Sequence, residues 1–140
     1  MGDALCLAQR EGVADNVTIV DYVPDDDLQQ LYHACDVHAM VSRWDPVARQ
    51  VEGFGMVYLE ARASGKPSMA GSAGGCADAM VDDVTRYVVE QVTSTLTRLL
   101  LDKPLARKMG DEGRAYVCER FSKRAVLPRL NQLVCSAIPS

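Results

Sequence analysis

Short apolar runs and longer segments with helical spacing alternate along most of the chain. Residues 17–23 (VTIVDYV) are rich in β-branched types, and residues 24–27 (PDDD) follow them with a proline and three acids that favour the start of a helix. The next apolar positions recur on one helical face: Leu28, Leu31, Tyr32 and Cys35. The pattern predicts a strand that leads into a helix.

A second strand and a second helix follow the first pair. Residues 37–42 (VHAMVS) form a short apolar run, which predicts a strand buried on both of its faces. A polar loop occupies residues 43–55, and Gly65 and Pro67 supply a helix stop. Between the loop and the stop, helical spacing resumes at Met56, Leu59, Glu60 and Ala63.

The middle of the chain continues the alternation. Residues 67–71 (PSMAG) predict a third strand, and residues 72–75 (SAGG) predict a turn of small residues that opens a short helix ending near Met80. Residues 87–90 (YVVE) predict a fourth strand. Strands joined by helical crossovers are typical of a parallel sheet covered by helices.

The last fifty residues are predicted to be helical. Asp102 and Pro104 have the positions of a cap and a first-turn proline, and residues 122–140 are predicted to form a C-terminal helix that Pro128 kinks. One apolar face precedes this cap: Val92, Leu96, Leu99 and Leu100. A second apolar face lies on the final helix: Val126, Leu127, Leu130, Leu133 and Val134.

Composition narrows the class of protein. A chain of 140 residues has the length of one domain. Its net charge is −4, and the sequence contains no long block of like charges, which argues against a surface that binds nucleic acid or a polybasic membrane surface. The five cysteines form no Cys-x-x-Cys pair, so we expect small buried hydrophobes in a reducing cytoplasm. Apolar runs fall short of the roughly 18 to 20 residues that a membrane span needs.

Two glycine-bearing loops lie where ligands bind in parallel sheets, after the carboxyl ends of strands. The first is Gly53-Phe54-Gly55, before the helix that contains Glu60, and the second is at Gly74-Gly75. Glycines beside a helix N-terminus let a diphosphate approach the unpaired N–H groups. A core-facing Glu60 then needs a hydrogen-bonding partner, such as the hydroxyls of a ribose. The alternative is a partly exposed acid that pairs with Arg62 or Lys66.

Glu52 and Glu60 are separated by seven residues, with Gly-Phe-Gly after the first acid. This arrangement resembles the signature of the retaining glycosyltransferases of family 4. The similarity extends along most of the chain, through residues 17–44, 60–67 (EARASGKP), 70–75 (AGSAGG) and 111–122 (DEGRAYVCERFS). The longer loop at 43–55 resembles that of actinobacterial lipid mannosyltransferases, which favours GDP-mannose as the donor.

The resemblance implies a GT-B fold, in which two Rossmann-like domains face each other across a cleft. Residues 1–140 would be a partial nucleotide-sugar-binding domain, an α/β parallel sheet with flanking helices that lacks its first strands. Glu52 would be catalytic and contact the sugar hydroxyls, and Glu60 would hold the ribose. The remaining donor-binding residues implied are Gly53, Phe54, Gly55 and Met56 at the diphosphate, with further donor contacts at Gly74, Gly75 and Asp78.

The resemblance also sets expectations for partners. The partners would be the nucleotide-sugar donor and a missing N-terminal acceptor domain or partner chain, with neither a metal nor another cofactor. The full enzyme would be cytoplasmic, with a peripheral association at the inner face of the membrane as one expectation. The chain alone is expected to be inactive, because the missing strands normally carry an Arg and a Lys that neutralise the leaving group. The alternative is a non-catalytic nucleotide-binding or interaction module left by truncation.

Overall fold

The structure, a computed structural model, describes residues 2–42, 53–71 and 91–137. Within these ranges the helices and strands are α1 Gly2–Arg10, α2 Asp25–Ala34, β1 His38–Met40, α3 Met56–Ala63, β2 Ser68–Ala70, α4 Val92–Leu101, α5 Lys103–Phe121 and α6 Lys123–Ala137. The predicted turn at 72–75, the short helix after it and the strand at 87–90 lie outside the described residues.

The chain divides into two compact units, Met1–Gln30 and Leu31–Ser140. In the first unit, α1 is followed by a 3₁₀ turn at Ala14–Asn16, and the amide of Val13 donates to the carbonyl of Ala8 at 2.9 Å. Ala8 is the buried side chain of the described part of this unit. Helix α1 was not expected from the sequence pattern.

The predicted strand at 17–23 is wrong for the structure as described, because these residues form no strand. Val17 has an extended backbone, with φ of −115° and ψ of 120°. β-branched residues favour that conformation, but a strand also needs a hydrogen-bonded neighbour. The helix predicted after this segment is confirmed as α2, which follows Pro24 and begins with three acids.

Strands β1 and β2 pair in parallel, which confirms the predicted orientation. His38 lies opposite Ser68 and Met40 lies opposite Ala70. The His38 amide also donates to the Pro67 carbonyl at 2.9 Å. Strand β2 is fully buried, whereas β1 is half-buried with Ala39 exposed. The expectation that β1 is buried on both faces is therefore wrong for the described residues.

The core of the second unit lies around α3, β2 and α5. One cluster joins Tyr58 and Leu59 of α3 to Ala70 and Val117. A second cluster is formed by Met69, Leu99, Ala106 and Met109. Burial of apolar side chains of this size contributes roughly 1.5 to 3 kcal/mol each. These contacts fix α3, and with it the residues that the sequence analysis assigns to a ligand.

Helix α5 approaches the end of α3 at a glycine. A Cβ on Gly110 would collide with the backbone carbonyl of Gly65, which follows α3. No side chain larger than hydrogen fits there without movement of one backbone. The close approach explains why a residue of low helix propensity is accepted inside a 19-residue helix.

The predicted helix ends are largely confirmed. Asp102 caps α5 by accepting from the Leu105 amide at 2.9 Å, with Pro104 in the first turn. Ser122 accepts from the Ala125 amide at 3.3 Å at the start of α6. Helix α6 runs without a break past Pro128 to Ala137, and none of its side chains is buried.

The expectation for the cysteines is not met where the structure describes them. Cys6, Cys118 and Cys135 are exposed and Cys35 is half-buried, while Cys76 lies outside the described residues. The three exposed cysteines lie on α1, α5 and α6. Among the helices described, none has the length and hydropathy needed to cross a bilayer.

Candidate functional site

The N-terminus of α3 presents backbone amides without a side-chain cap. Gly55 is the N-cap residue and has a left-handed backbone, with φ of 79° and ψ of 60°, which glycine adopts at little cost. Its carbonyl accepts from the Tyr58 amide at 3.0 Å, and Met56, the first helical residue, is 63% exposed. A helix start of this kind attracts anions, because the first-turn amides and the helix dipole carry partial positive charge.

Phe54 holds the turn before α3 against the core. Its ring lies 6.0 Å from that of Phe121 at the end of α5, with the two planes tilted by 57°. It also packs against the cluster around Tyr58 and Leu59. Gly53 is exposed, with open space around its backbone. The turn is therefore anchored on its inner side by one aromatic ring, and no other described residue lies against Gly53.

Glu60 lies in the second turn of α3 and is half-buried. Its Oε2 accepts a hydrogen bond of 2.9 Å from the hydroxyl of Tyr32 on α2. Its other oxygen, Oε1, makes no hydrogen bond to residues 2–42, 53–71 or 91–137. One oxygen of the carboxylate is thus hydrogen-bonded to Tyr32. The sequence analysis had suggested Arg62 or Lys66 as the protein partner.

His38 lies between two tyrosine rings behind Glu60. Its ring centroid is 5.8 Å from that of Tyr32 and 5.9 Å from that of Tyr58. Its Nδ1 forms a 2.8 Å hydrogen bond with the Ser68 hydroxyl across the paired strands. Tilted and edge-on ring pairs at these distances are favourable, so the three rings form a packed support under the Tyr32 hydroxyl.

Tyr58 ties α3 to the end of β1. It is fully buried, and its hydroxyl donates to the carbonyl of Met40 at 2.7 Å. Met40 is the last residue of β1, so its carbonyl lies at the carboxyl end of the parallel pair. This bond places the start of α3 at the edge of the sheet where ligands bind in folds of this type.

Two titratable groups beside Glu60 are shifted towards their neutral forms. Burial, together with the hydrogen bond to Glu60, raises the pKa of Tyr32 to about 12. Burial also lowers the pKa of His38, although the negative charge of Glu60 opposes that shift. The neutral forms of both groups are therefore favoured near pH 7, and the Tyr32 hydroxyl keeps the proton that it donates.

The described part of the candidate site contains Gly53, Phe54, Gly55, Met56 and Glu60. The other predicted site residues, Glu52, Gly74, Gly75 and Asp78, lie outside the described residues. The structure adds Tyr32 and His38, which the sequence analysis treated as a helix-face and a strand residue, and Tyr58, to which it gave no role. The hydroxyls of the two tyrosines could have indicated their role, since a buried tyrosine hydroxyl normally has a hydrogen-bond partner.

Among residues 2–42, 53–71 and 91–137, no three histidine, cysteine or acidic side chains come together as metal ligands. The described site is instead made of backbone amides, one carboxylate and four aromatic rings. These groups suit an uncharged polyol together with an anion. The amides and the helix dipole favour the anion, and the carboxylate accepts hydrogen bonds from hydroxyl groups.

Comparison with known proteins identifies the family. A family model described as glycosyl transferases group 1 matches residues 4–116. The chain belongs to the group 1 glycosyltransferases. Its sequence is 38% identical over 120 residues to the GDP-mannose-dependent alpha-(1-6)-phosphatidylinositol monomannoside mannosyltransferase of Mycobacterium tuberculosis, covering 82% of this chain and 31% of that protein.

Two solved structures have a similar fold. Sucrose-phosphate synthase from Thermosynechococcus elongatus aligns with a TM-score of 0.76 and 28% identity, over 94% of this chain and 32% of that one. HepE from Anabaena, in complex with UDP, aligns with a TM-score of 0.79 and 23% identity, over 96% and 36%. The fold is that of the C-terminal half of a GT-B glycosyltransferase, as predicted, and the chain spans about a third of the length of the curated relatives it matches.

Proposed function

We propose that this chain is the donor-binding part of a retaining glycosyltransferase of family 4, and that it binds a nucleotide-activated sugar. The observation that carries the proposal is the start of α3, where uncapped amides at Gly55 and Met56 lie one turn before a half-buried carboxylate, Glu60. In a group 1 glycosyltransferase, this combination fits a diphosphate followed by a ribose.

Each residue has a distinct part in the proposal. The amides of Phe54, Gly55 and Met56 take the diphosphate, and Glu60 accepts hydrogen bonds from the ribose hydroxyls. Glu52 is the catalytic residue and contacts the sugar hydroxyls, while Gly74, Gly75 and Asp78 are further donor contacts. No metal takes part, so EDTA is expected to leave the nucleotide affinity unchanged.

GDP-mannose is the proposed donor. The similarity to a mycobacterial enzyme that is named as GDP-mannose-dependent supports this choice over other sugar nucleotides. HepE, whose structure contains UDP, shares the fold at lower identity and makes UDP-glucose the appropriate competitor. Calorimetric titration of the chain with both ligands tests the choice, and tighter binding of UDP-glucose would transfer the proposal to uridine donors.

The role of Glu60 is tested by substitution. A hydrogen bond to a charged group contributes about 1.5 to 3 kcal/mol, so Glu60→Gln should weaken GDP-mannose binding about 10- to 150-fold. The matched control is Glu119→Gln, which changes an exposed acid on α5. If the two variants bind equally well while Glu60→Gln lowers the melting temperature, the acid is structural and the ribose role is wrong.

Transfer itself is proposed to require an acceptor domain or partner chain. Holding an acceptor against the donor can contribute roughly 7 to 11 kcal/mol to catalysis, and that contribution comes from a cleft between two domains in GT-B enzymes. Incubation of the chain with radiolabelled GDP-mannose and a lipid extract should give no glycolipid. Glycolipid formation by the chain alone would contradict this proposal. Nucleotide binding without turnover, even after an acceptor domain is supplied, would favour a non-catalytic module.

A further inference from the structure

Tyr32 contacts Glu60 from a different helix. The two residues are 28 positions apart, on α2 and α3, and their side chains meet at 2.9 Å between the tyrosine hydroxyl and Oε2. Tyr32 and Glu60 are both half-buried, so the bond is shielded from water on part of its surface. A long, exposed glutamate samples several rotamers, whereas a glutamate held on one oxygen by a fixed donor is restricted.

The Tyr32 ring is itself held in place. It packs at a 58° tilt against the ring of His38, and His38 forms a hydrogen bond with Ser68 on the buried strand β2. The chain of contacts thus runs from a fully buried strand to the carboxylate through His38 and Tyr32. A donor supported in this way has little freedom of its own.

The geometry leaves Glu60 suited to a diol. Oε2 is occupied by one donor and can still accept a second hydrogen bond, while Oε1 makes none to the described residues. The neighbouring hydroxyls of a ribose can donate to both oxygens of one carboxylate. Fixing the carboxylate before binding lowers the ordering cost that the ligand would otherwise bear.

We propose that Tyr32 is a positioning residue for the donor: its hydroxyl fixes the Glu60 carboxylate in the orientation that accepts the ribose hydroxyls. The inference rests on the proposed function and extends it to a residue on α2. Tyr32 does not touch the donor in this proposal. It determines how well Glu60 distinguishes a ribose from a sugar without hydroxyls.

Nucleotides without ribose hydroxyls separate positioning from stability. GDP and 2′,3′-dideoxy-GDP are titrated into the wild-type chain, Tyr32→Phe and Glu60→Gln, with the UDP pair used instead if UDP binds more tightly. Tyr32→Phe keeps the ring that packs on His38 and removes the hydroxyl. The control is Tyr22→Phe, because Tyr22 is an exposed tyrosine.

We expect wild type and Tyr22→Phe to prefer GDP over the dideoxy ligand by about tenfold or more. Tyr32→Phe should lose most of that preference by binding GDP more weakly, while its affinity for 2′,3′-dideoxy-GDP stays within about twofold of wild type. Glu60→Gln should show the same pattern more strongly. In the double variant, the Tyr32 substitution should have no further effect.

Three results would overturn the inference. If Tyr32→Phe weakens both ligands alike, Tyr32 supports the fold and not the carboxylate. If Tyr32→Phe keeps the full preference for GDP, Glu60 does not need the tyrosine, and the proposed function stands without the inference. If wild type shows no preference for the ribose hydroxyls, or binds neither nucleotide, the ribose role of Glu60 fails and the role of Tyr32 fails with it.

Discussion

Helices α3 and α6 are both amphipathic, but their apolar faces have opposite environments. Four side chains of α3 are buried, and its face packs against β2 and α5. No side chain of α6 is buried, and Leu133 is 67% exposed. Apolar spacing therefore predicts that a helix forms, whereas burial depends on whether another element lies against its face.

The first way to sharpen this comparison is to truncate the most buried ring of α3. Tyr58→Ala should lower the free energy of unfolding by about 3 to 5 kcal/mol, because it leaves a cavity and removes the donor to the Met40 carbonyl. Leu133→Ala on α6 is the control, with an expected change within about 0.5 kcal/mol. Chemical denaturation followed by circular dichroism measures both, and similar losses would mean that the two helices do not differ in burial.

The second test concerns the close approach of α5 to the end of α3. Gly110→Ala should destabilise the chain by about 1 to 3 kcal/mol, because its Cβ would collide with the Gly65 carbonyl. Alanine has the higher helix propensity, so a gain in stability would show that the two backbones do not meet as described. Cys118→Ala, on an exposed face of the same helix, provides the control in the same denaturation experiment.

These tests also separate what the sequence predicts from what it does not. The bounds of α3, its stop near Gly65 and the parallel pairing of β1 and β2 follow from local spacing, glycine and proline positions, and the need for a crossover. The strand predicted at 17–23 fails because β propensity does not supply a partner strand. A local sequence pattern predicts a strand correctly only where another strand is available to pair with it.

The candidate site also contains some residues that the sequence predicts and others that it does not. Gly55 and Glu60 were predicted because their types and spacing match a known signature. The hydrogen bond from Tyr32 was not predicted, since it joins positions 28 apart whose separation in space depends on the packing of two helices. A tyrosine with helical spacing is typical of a core face, and only the fold shows that its hydroxyl meets an acid.

The free energy of unfolding should depend on alkaline pH through Tyr32, which contacts Glu60 of α3. Tyrosine ordinarily has a pKa of about 10, and that of Tyr32 is raised to about 12. The unfolded chain therefore loses this proton first, so the contribution of Tyr32 to stability is complete below pH 10 and is lost as the pH rises towards 12. Subtracting the 295 nm titration of Tyr32→Phe from that of wild type should give a midpoint near 12, and a midpoint near 10 would show an exposed tyrosine.

The free energy of unfolding should also change at acid pH, through His38. Burial lowers its pKa below the ordinary value of about 6.5, so the unfolded chain takes up the proton first. Stability from His38 is complete above that value and falls as the pH drops through it. His38→Asn should flatten the dependence of the unfolding free energy on pH below about 6.5. An unchanged slope would place His38 in water, and Ser68→Ala tests its hydrogen bond separately.

The smallest effect is expected on α6. Leu130→Gln should change the unfolding free energy by less than about 0.5 kcal/mol, because the side chain is already exposed in the folded chain. Leu99→Gln is the matched comparison, since Leu99 of α4 is buried and a buried amide without partners is costly. If the two substitutions destabilise equally, the apolar face of α6 is covered in solution and the contrast with α3 disappears.

The bond between Tyr58 and Met40 has a consequence for how this fold can diversify. It joins the start of α3 to the end of β1 directly, over a sequence separation of 18 positions. Changes in the length or composition of the connecting segment can therefore accumulate without moving the helix that carries Gly55 and Glu60. Loops exchanged between relatives in this segment should therefore leave the start of α3 joined to the end of β1.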